Sequence, residues 1–458
     1  DRSRIVATTA TQAMLSARDL NGFDAVLIDE ASMLPLPLCY LLSGMARERV
    51  VIAGDFRQLP AIAISDSHMV RLWYTRDIFD CAGVIDRVDS ASPHSAIVTL
   101  TTQFRSNETL CELINRRFYG GILKTLSVDS PSVVFKEPLT YLNRYPVVLV
   151  DTSPLAPRGH TLNQSKSNLM HALLVRKIAL SLVAAGLGET PEGLGVIAPY
   201  RPQVSLIRDL LDEYRLTGVS VGTVHRFQGS ERGAIILDLT DSPPHRLGTF
   251  LRPISLRDTG ARLFNVALSR ARQHLFVVAN ISHLRSQVNR QHLLSGVLDD
   301  LERVAYRMPV AELIGESVSP SPSLSVNEKS GAPLFSLTLS VSSRVVRVLS
   351  ALVRPRIQKG LRVTIIIDGA ANIDDDEQRS LKELRDAGVL VIKSLTAPIP
   401  YVVVDSEVVW LGALSPADCL APLKGLMVRC VSSRASSVIL EMQNPQRSAE
   451  TSVTAVGI

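Results

Sequence analysis

The sequence contains no apolar run expected to span a bilayer; the longest uncharged stretch near its start, Ala31 to Ala46, is broken by Pro35 and Pro37. No signal peptide is expected either. The five cysteines, Cys39, Cys81, Cys111, Cys419 and Cys430, lie far apart and show no metal-ligand spacing. That excludes a disulfide framework and points to free thiols in a reducing compartment, so the expected location is cytoplasmic, with no membrane partner. Histidine is absent from residues 334–458, which excludes histidine chemistry there. Lysine is scarce: of 49 basic residues, nine are lysine and 40 arginine. Arginine makes planar, bidentate phosphate contacts, so the skew suits phosphate or nucleic-acid partners, although a GC-rich genome produces the same bias. What is present is ample for packed cores: 458 residues, 46% of them hydrophobic, a length that fits about three domains.

One stretch organises the rest. Val26-Leu-Ile-Asp-Glu-Ala-Ser32 reads as a buried strand ending in two carboxylates. Val50-Val-Ile-Ala-Gly-Asp-Phe-Arg-Gln-Leu-Pro60 reads as a second, ending in Gly54-Asp55 with Gln58 close behind. Two neighbouring parallel strands with polar tips at one edge make a site, because ligands bind at the carboxyl ends of such strands. A strand tip with Asp-Glu suits a magnesium ligand beside a catalytic base; the plain alternative is a solvated acidic turn.

The pairing of Asp29-Glu30-Ala31-Ser32 with Gly54 to Pro60 resembles the Walker B and third motifs of superfamily 1 helicases, in the branch that includes the nonsense-mediated-decay RNA helicase. Further motifs follow in order. Gln103-Phe104-Arg105 resembles the fourth, Gln228-Gly229 with Glu231 the fifth, and Ser269-Arg270-Ala271-Arg272 the sixth. The resemblance spans about residues 4 to 280. It implies ATP and Mg2+ as cofactors, with Asp29 on the metal, Glu30 activating water, and Gln58 sensing the γ-phosphate. Arg105 and Arg270 would stabilise the transition state, and Phe104 would pack near the adenine. Gln228, Gly229 and Glu231 would link ribose and ATP to the bound strand. It also implies backbone contacts to single-stranded RNA or DNA from Thr8, Thr9, Thr223 and His225. His225 stands where some members carry Asp, which puts an aspartate-specific role in doubt. For any one of these threonines an ordinary helix cap is the competing reading. No Gly-x-x-x-x-Gly-Lys-Ser/Thr loop occurs in the sequence. It is expected upstream of residue 1, with this chain a fragment of a longer protein.

The expected fold class is α/β: two RecA-like doubly wound parallel-sheet domains, the first incomplete, and a smaller C-terminal α/β domain. Residues 1–95 would be the C-terminal half of the first RecA-like domain, with a short strand near residue 4 and an irregular stretch over 61–95. Residues 96–306 would be the second, with strands near 97 and 275 and a helix over 264–272. A Ser/Pro/Gly linker would run over 307–333, implying that 334–458 is an autonomous unit. In that last part the segments 343–353 and 374–387 read as helices. Strands are expected at 361–368, 389–392, 401–405 and 407–412, the last two as a hairpin about Ser406. This block resembles half of a phospholipase-D-like nuclease module. Asp405 and Gly412 fit its signature, but Pro398 and Pro400 stand at the histidine and lysine positions and Ala413 at the serine. The resemblance therefore implies an inactive module.

The expected function is an ATP-dependent helicase or translocase on single-stranded nucleic acid. Two alternatives stay open: a non-catalytic nucleic-acid-binding or scaffold protein, and a translocase subunit serving a nuclease in a defence system. A nuclease or other protein is a possible partner through the C-terminal domain.

Overall fold

The computed structural model describes residues 4–313, apart from 18–19, 21, 66, 127–134, 163–164, 188–192 and 311–312. In the C-terminal part it describes 336–340, 357, 362–368, 374–394, 401–404, 408–412 and 427–443.

The first unit holds α1 (Ala10–Leu15), β1 (Phe23–Ile28), α2 (Leu36–Ser43) and β2 (Ala46–Ile52). The two strands pair in parallel, with Val26 opposite Val50 and Ile28 opposite Ile52. One face of the pair packs on the helices through Ala13, Ile28, Ala31, Cys39, Leu42 and Met45. Leu27 and Val51, also opposite each other, are 70% and 50% exposed. Parallel sheets ordinarily have both faces covered, and here one face of the pair is open. The strand expected near residue 4 is not formed: Ile5 and Val6 are exposed and join neither β1 nor β2. The stretch 61–95, expected to be irregular, carries short helical turns at His68–Val70, Ile78–Cys81 and Val84–Asp89. Asp77 caps one of them, its carboxylate accepting from the Asp80 amide.

The second unit contains α3 (Glu108–Phe118), β3 (Val147–Asp151), α4 (Leu169–Leu182), β4 (Leu194–Ile197), α5 (Arg201–Asp212) and β5 (Ser220–Gly222). It continues with β6 (Arg232–Asp238), α6 (Thr259–Leu268), β7 (Ala271–Ala279), α7 (Leu293–Val304) and β8 (Tyr306–Arg307). Six strands lie in the order β8-β3-β7-β6-β4-β5, every neighbouring pair parallel. This is the doubly wound sheet the alternating pattern implies, and the apolar runs Val147–Val150 and Ala234–Leu237 are buried on both faces. Only Thr102 and Gln103 of the strand expected near 97 are in a ladder, paired with Lys124 and Thr125, while Val98 and Leu100 are exposed. The helix expected over 264–272 instead runs from Thr259 to Leu268. Parallel pairing of Arg232 with Ala271 draws the chain into β7 from residue 271, leaving Ser269 and Arg270 at the helix–strand junction.

A buried polar network ties the carboxyl edge of this sheet to its helices. Thr152 Oγ1 and Asp238 Oδ1 each lie 2.8 Å from a ring nitrogen of His171. The other Asp238 oxygen accepts from Gln203 Nε2 at 2.6 Å, and Gln203 Oε1 accepts from the Asn168 amide at 2.8 Å. Every member is buried and partnered, the condition under which such networks stabilise a core. The segment Leu169–Leu187 is long and apolar enough to cross a membrane, contrary to the expectation from sequence. It carries Arg176 and Lys177, and 61% of its most apolar window is buried inside the protein.

The C-terminal part contains β9 (Ser336–Ser340), β10 (Arg362–Asp368), α8 (Asp375–Asp386), β11 (Leu390–Ser394), β12 (Tyr401–Val404), β13 (Val408–Gly412), β14 (Met427–Val431) and α9 (Ser433–Gln443). A mixed sheet results, ordered β11-β10-β9-β12-β13-β14, parallel across β9, β10 and β11 and antiparallel elsewhere. The expected hairpin is there, with Val404 opposite Val408. So is the charged helix, whose Asp374 and Glu377 form a reciprocal capping box. Strands β9 and β14 were not legible in the sequence. The helix expected over 343–353, the linker residues 314–333, and Pro398, Pro400, Asp405 and Ala413 lie outside the described residues. The expectation of an autonomous unit needs correction. Val403, Ala435, Val438 and Ile439 belong to the same hydrophobic core as Val148, Ile207 and Met308 of the second unit.

Candidate active site

The loop after β2 meets the junction of α6 and β7 directly, through Gln58 and Arg270, and the tip of β1 lies beside it. At the tip of β1, Glu30 adopts a left-handed conformation (φ 53°, ψ 36°), uncommon for a residue with a side chain. Its amide donates to Asp29 Oδ1 at 2.9 Å, and the next amide, Ala31, donates to Ala53 O at 3.0 Å. This turn leaves both carboxylates exposed at the sheet edge. Backbone strain of this kind concentrates at functional sites. Gly54 fits beside the turn because a Cβ there would meet the Ala31 nitrogen at 2.9 Å.

At the tip of β2, Asp55 organises the loop. Its Oδ1 accepts from the Arg57 amide at 2.8 Å, and its Oδ2 from Gln58 Nε2 at 2.9 Å. Gln58 is thereby oriented so that its Oε1 accepts from Arg270 Nη2 at 2.8 Å. Arg270 is only 2% exposed, and its other nitrogens donate to main-chain oxygens, Nε to Val266 O at 3.2 Å and Nη1 to Ser230 O at 3.3 Å. Burial, and next the positive charge of Arg105, lower its pKa to about 10, while Glu30 and Asp55 pull the other way. The guanidinium is therefore still charged at neutral pH.

Arg105 stands nearby, half-exposed. Its Nε donates to Glu231 Oε2 at 2.8 Å, and Arg272 pairs with the other oxygen at 3.3 Å. Gln103 shapes this turn, its Oε1 accepting from the amides of Arg105 and Ser106 at 2.8 and 3.0 Å. Phe104 is 64% exposed. Gln228 donates through Nε2 to the sulfur of Met33, one turn after Glu30. Gly229 has φ +69°, a conformation that favours glycine. The structure thus joins Gln58 to Arg270 and Arg105 to Glu231, sets Gln228 against Met33, and brings Glu30 and Arg105 close enough to act on the charge of Arg270, while Asp29 adjoins Glu30 at the tip of β1.

The expected strand-binding residues are more dispersed. Thr9 caps α1, its hydroxyl accepting from the Gln12 amide at 3.2 Å, and Thr8 is exposed beside it. Thr223 precedes the turn Val224–Phe227 without a side-chain cap bond. His225 is exposed at the residue level, yet partial desolvation still lowers its pKa. Geometry alone joins neither pair to the site.

Four residues of the contact between the two units went unread in the sequence. Tyr119, at the end of α3, donates its hydroxyl to Asp55 Oδ2 at 2.6 Å. Asn265 of α6 donates to Tyr119 Oη at 2.8 Å and to Arg57 O at 3.0 Å. Arg262 and Asp77 form a buried ion pair at 3.0 Å between α6 and the first unit. Their signal was weak because each partner lies far away in sequence. The run Phe118-Tyr119-Gly120-Gly121 marks only a helix end.

Comparison with known proteins finds relatives over much of the chain. Residues 83–282 match a family described as AAA domain, and residues 1–66 match a second family of the same description. The mouse (Mus musculus) DNA replication ATP-dependent helicase/nuclease DNA2 is 28% identical over 61% of this chain and 27% of its own length. The Saccharomyces cerevisiae DNA polymerase alpha-associated DNA helicase A is 30% identical over 63% of this chain and 44% of its own length. The chain thus spans from about a quarter to under half of the length of these relatives.

Proposed function

For a chain that matches two families described as AAA domain, we propose a superfamily 1 helicase, an ATP-dependent motor that moves on single-stranded nucleic acid. The observation that carries the reading is the 2.8 Å bond from Arg270 to Gln58, which joins the tip of β2 to the junction that opens β7. It sets a buried positive charge within electrostatic reach of the exposed carboxylate of Glu30, whose neighbour Asp29 is exposed as well, an arrangement suited to a nucleotide phosphate with its metal. The donor set fits ATP and Mg2+: the carboxylate of Asp29 is a hard oxygen ligand, and two arginines supply charge for phosphate oxygens. When bound, that nucleotide provides the anhydride bond whose hydrolysis drives the motor.

The chain's own residues then have separate tasks. Asp29 would hold the metal. Glu30 would accept the proton of the attacking water. Gln58, oriented by Asp55, would sense the terminal phosphate. Arg270 and Arg105 would stabilise charge developing on the transferred group, Arg105 after exchanging its partner Glu231 for phosphate. Phe104 would stack on the base, and Gln228, Gly229 and Glu231 would relay the state of the site. Thr8, Thr9, Thr223 and His225 would contact the strand backbone. The relatives' names favour DNA over RNA as that strand, which places the narrower likeness to an RNA-helicase branch second.

The sequence 1–458 has no phosphate-binding loop, so the chain by itself is expected to show no strand-stimulated ATP turnover. In the protein supplied with that loop, Glu30→Gln should bind ATP normally and lose hydrolysis. Parental hydrolysis rates in that variant would remove Glu30 as the base. DNA-stimulated activity against RNA-stimulated activity decides the strand.

The likeness of the C-terminal sheet to an inactive phospholipase-D-like module belongs to the same proposal, with a binding rather than a cutting role for that part.

A further inference from the structure

We propose that Tyr119 is a positioning residue whose hydroxyl locks the phosphate-sensing loop of the first unit to the helix of the second that leads into Arg270. The proposal rests on the motor reading above for its catalytic consequence, and on geometry alone for the lock.

A phenol hydroxyl offers one donor and can accept as well. Tyr119 uses both sides. It donates to Asp55 Oδ2 at 2.6 Å and accepts from Asn265 Nδ2 at 2.8 Å. Asp55 is the residue that orients Gln58, through the 2.9 Å bond to the same Oδ2. Asn265 lies five residues before Arg270 on the α6–β7 path, and Val266, its neighbour, accepts through its main-chain oxygen from Arg270 Nε. The hydroxyl therefore stands at the crossing of two chains of bonds, Asp55 to Gln58 on one side and Asn265 toward Arg270 on the other. Asn265 closes the loop by also donating to Arg57 O at 3.0 Å.

The platform under Tyr119 is fixed. It caps α3, its amide donating to Asn115 O at 3.0 Å. At the other end of α3, Asn107 caps the helix and donates to Gln273 O of β7 at 3.0 Å. A hydroxyl on so firm a mount can hold a loop of another unit to within the tolerance that catalysis requires. Burial, and then the charge of Asp55, raise the Tyr119 pKa well above its usual value, so the donor proton stays in place across working pH.

The test is Tyr119→Phe, which keeps the ring and deletes the lock. In the chain 1–458, hydrogen exchange should accelerate at the amides of both 54–59 and 262–270, with protection of β3, β4 and β6 unchanged. Unchanged exchange in the two segments, or a loss of protection throughout the second sheet, would overturn the lock. In the loop-bearing protein, strand-stimulated kcat should fall about tenfold while the KM for ATP stays within about twofold. A parental kcat in Tyr119→Phe would overturn the positioning role. A parent protein without Glu30-dependent hydrolysis would instead refute the motor reading, and the exchange measurement would still decide the lock.

Discussion

Glu213, at the end of α5, caps a helix that begins 220 residues later: its Oε1 accepts from the amide of Arg434 at 2.8 Å. The same carboxylate accepts from the hydroxyls of Ser432 at 2.7 Å and Ser433 at 3.2 Å. Arg434 returns the contact, its Nε donating to Asp209 Oδ2 at 3.0 Å. The C-terminal sheet is thus bolted to the second unit by a carboxylate at a helix start, where negative charge is favoured.

Glu213→Ala should therefore loosen the C-terminal part selectively. Loss of charge-assisted bonds at a cap costs roughly 2 kcal/mol. Limited proteolysis should cut residues 427–443 faster in the variant, with the second sheet still protected. Equal cutting rates in parent and variant would show that the cap does not hold the docking.

Arg270→Ala is expected to lower turnover far more than nucleotide affinity, because its charge acts where charge develops. A fall of about a hundredfold or more in kcat is the expected scale for a lost phosphate-stabilising group. Arg270→Lys should rescue little, since a lysine cannot keep the bonds to Gln58, Val266 and Ser230 together. An affinity loss with unchanged kcat would take the role away from Arg270.

His274 on β7 makes stability depend on pH. It is buried with both ring nitrogens unpartnered, and the ring of Phe135 meets it edge-on at 5.2 Å. Burial lowers its pKa from 6.5 to about 4. The unfolded chain then binds the proton more readily than the folded one. Stability contributed by the neutral ring is complete above about pH 6.5 and is lost as pH falls toward about 4, by about 3 kcal/mol. Urea midpoints measured from pH 7 to pH 4.5 should fall less steeply in His274→Phe than in the parent. Parallel slopes would assign the acid sensitivity elsewhere.

The C-terminal part should cut no phosphodiester, as residues 334–458 lack any histidine nucleophile. The whole chain, incubated with single-stranded and duplex DNA or with a bis-nitrophenyl phosphate, is expected to leave them intact. Cleavage that copurifies with the chain and resists chelators would contradict the inactive-module reading.

Much of the second unit was legible because a fully buried parallel strand leaves a plain trace. Val147–Val150 and Ala234–Leu237 are short apolar runs between turn signals, and both are strands. Strands near 4 and 97 failed for one reason: an apolar run marks a strand only if a partner is there to pair with it. The motif residues of the site were legible as local patterns, Asp29-Glu30 and Gln228-Gly229 among them. Tyr119, Asn265 and Arg262 were not, because their meaning lies in bonds to Asp55, Arg57 and Asp77, far away in sequence. The docking by Glu213 was hidden for the same reason, and the Ser/Pro/Gly composition of 318–333 suggested independence instead.

Arg270 is held by oxygens of neutral groups: one amide side chain, one hydroxyl and two main-chain carbonyls. No carboxylate among these partners cancels its charge. Folding has already stripped most of the water from the guanidinium, and its lowered pKa records that work of dehydration. An anion entering the site meets a cation that needs no further drying and no release from a resident counter-ion. The attraction it feels is correspondingly little screened by dissolved salt.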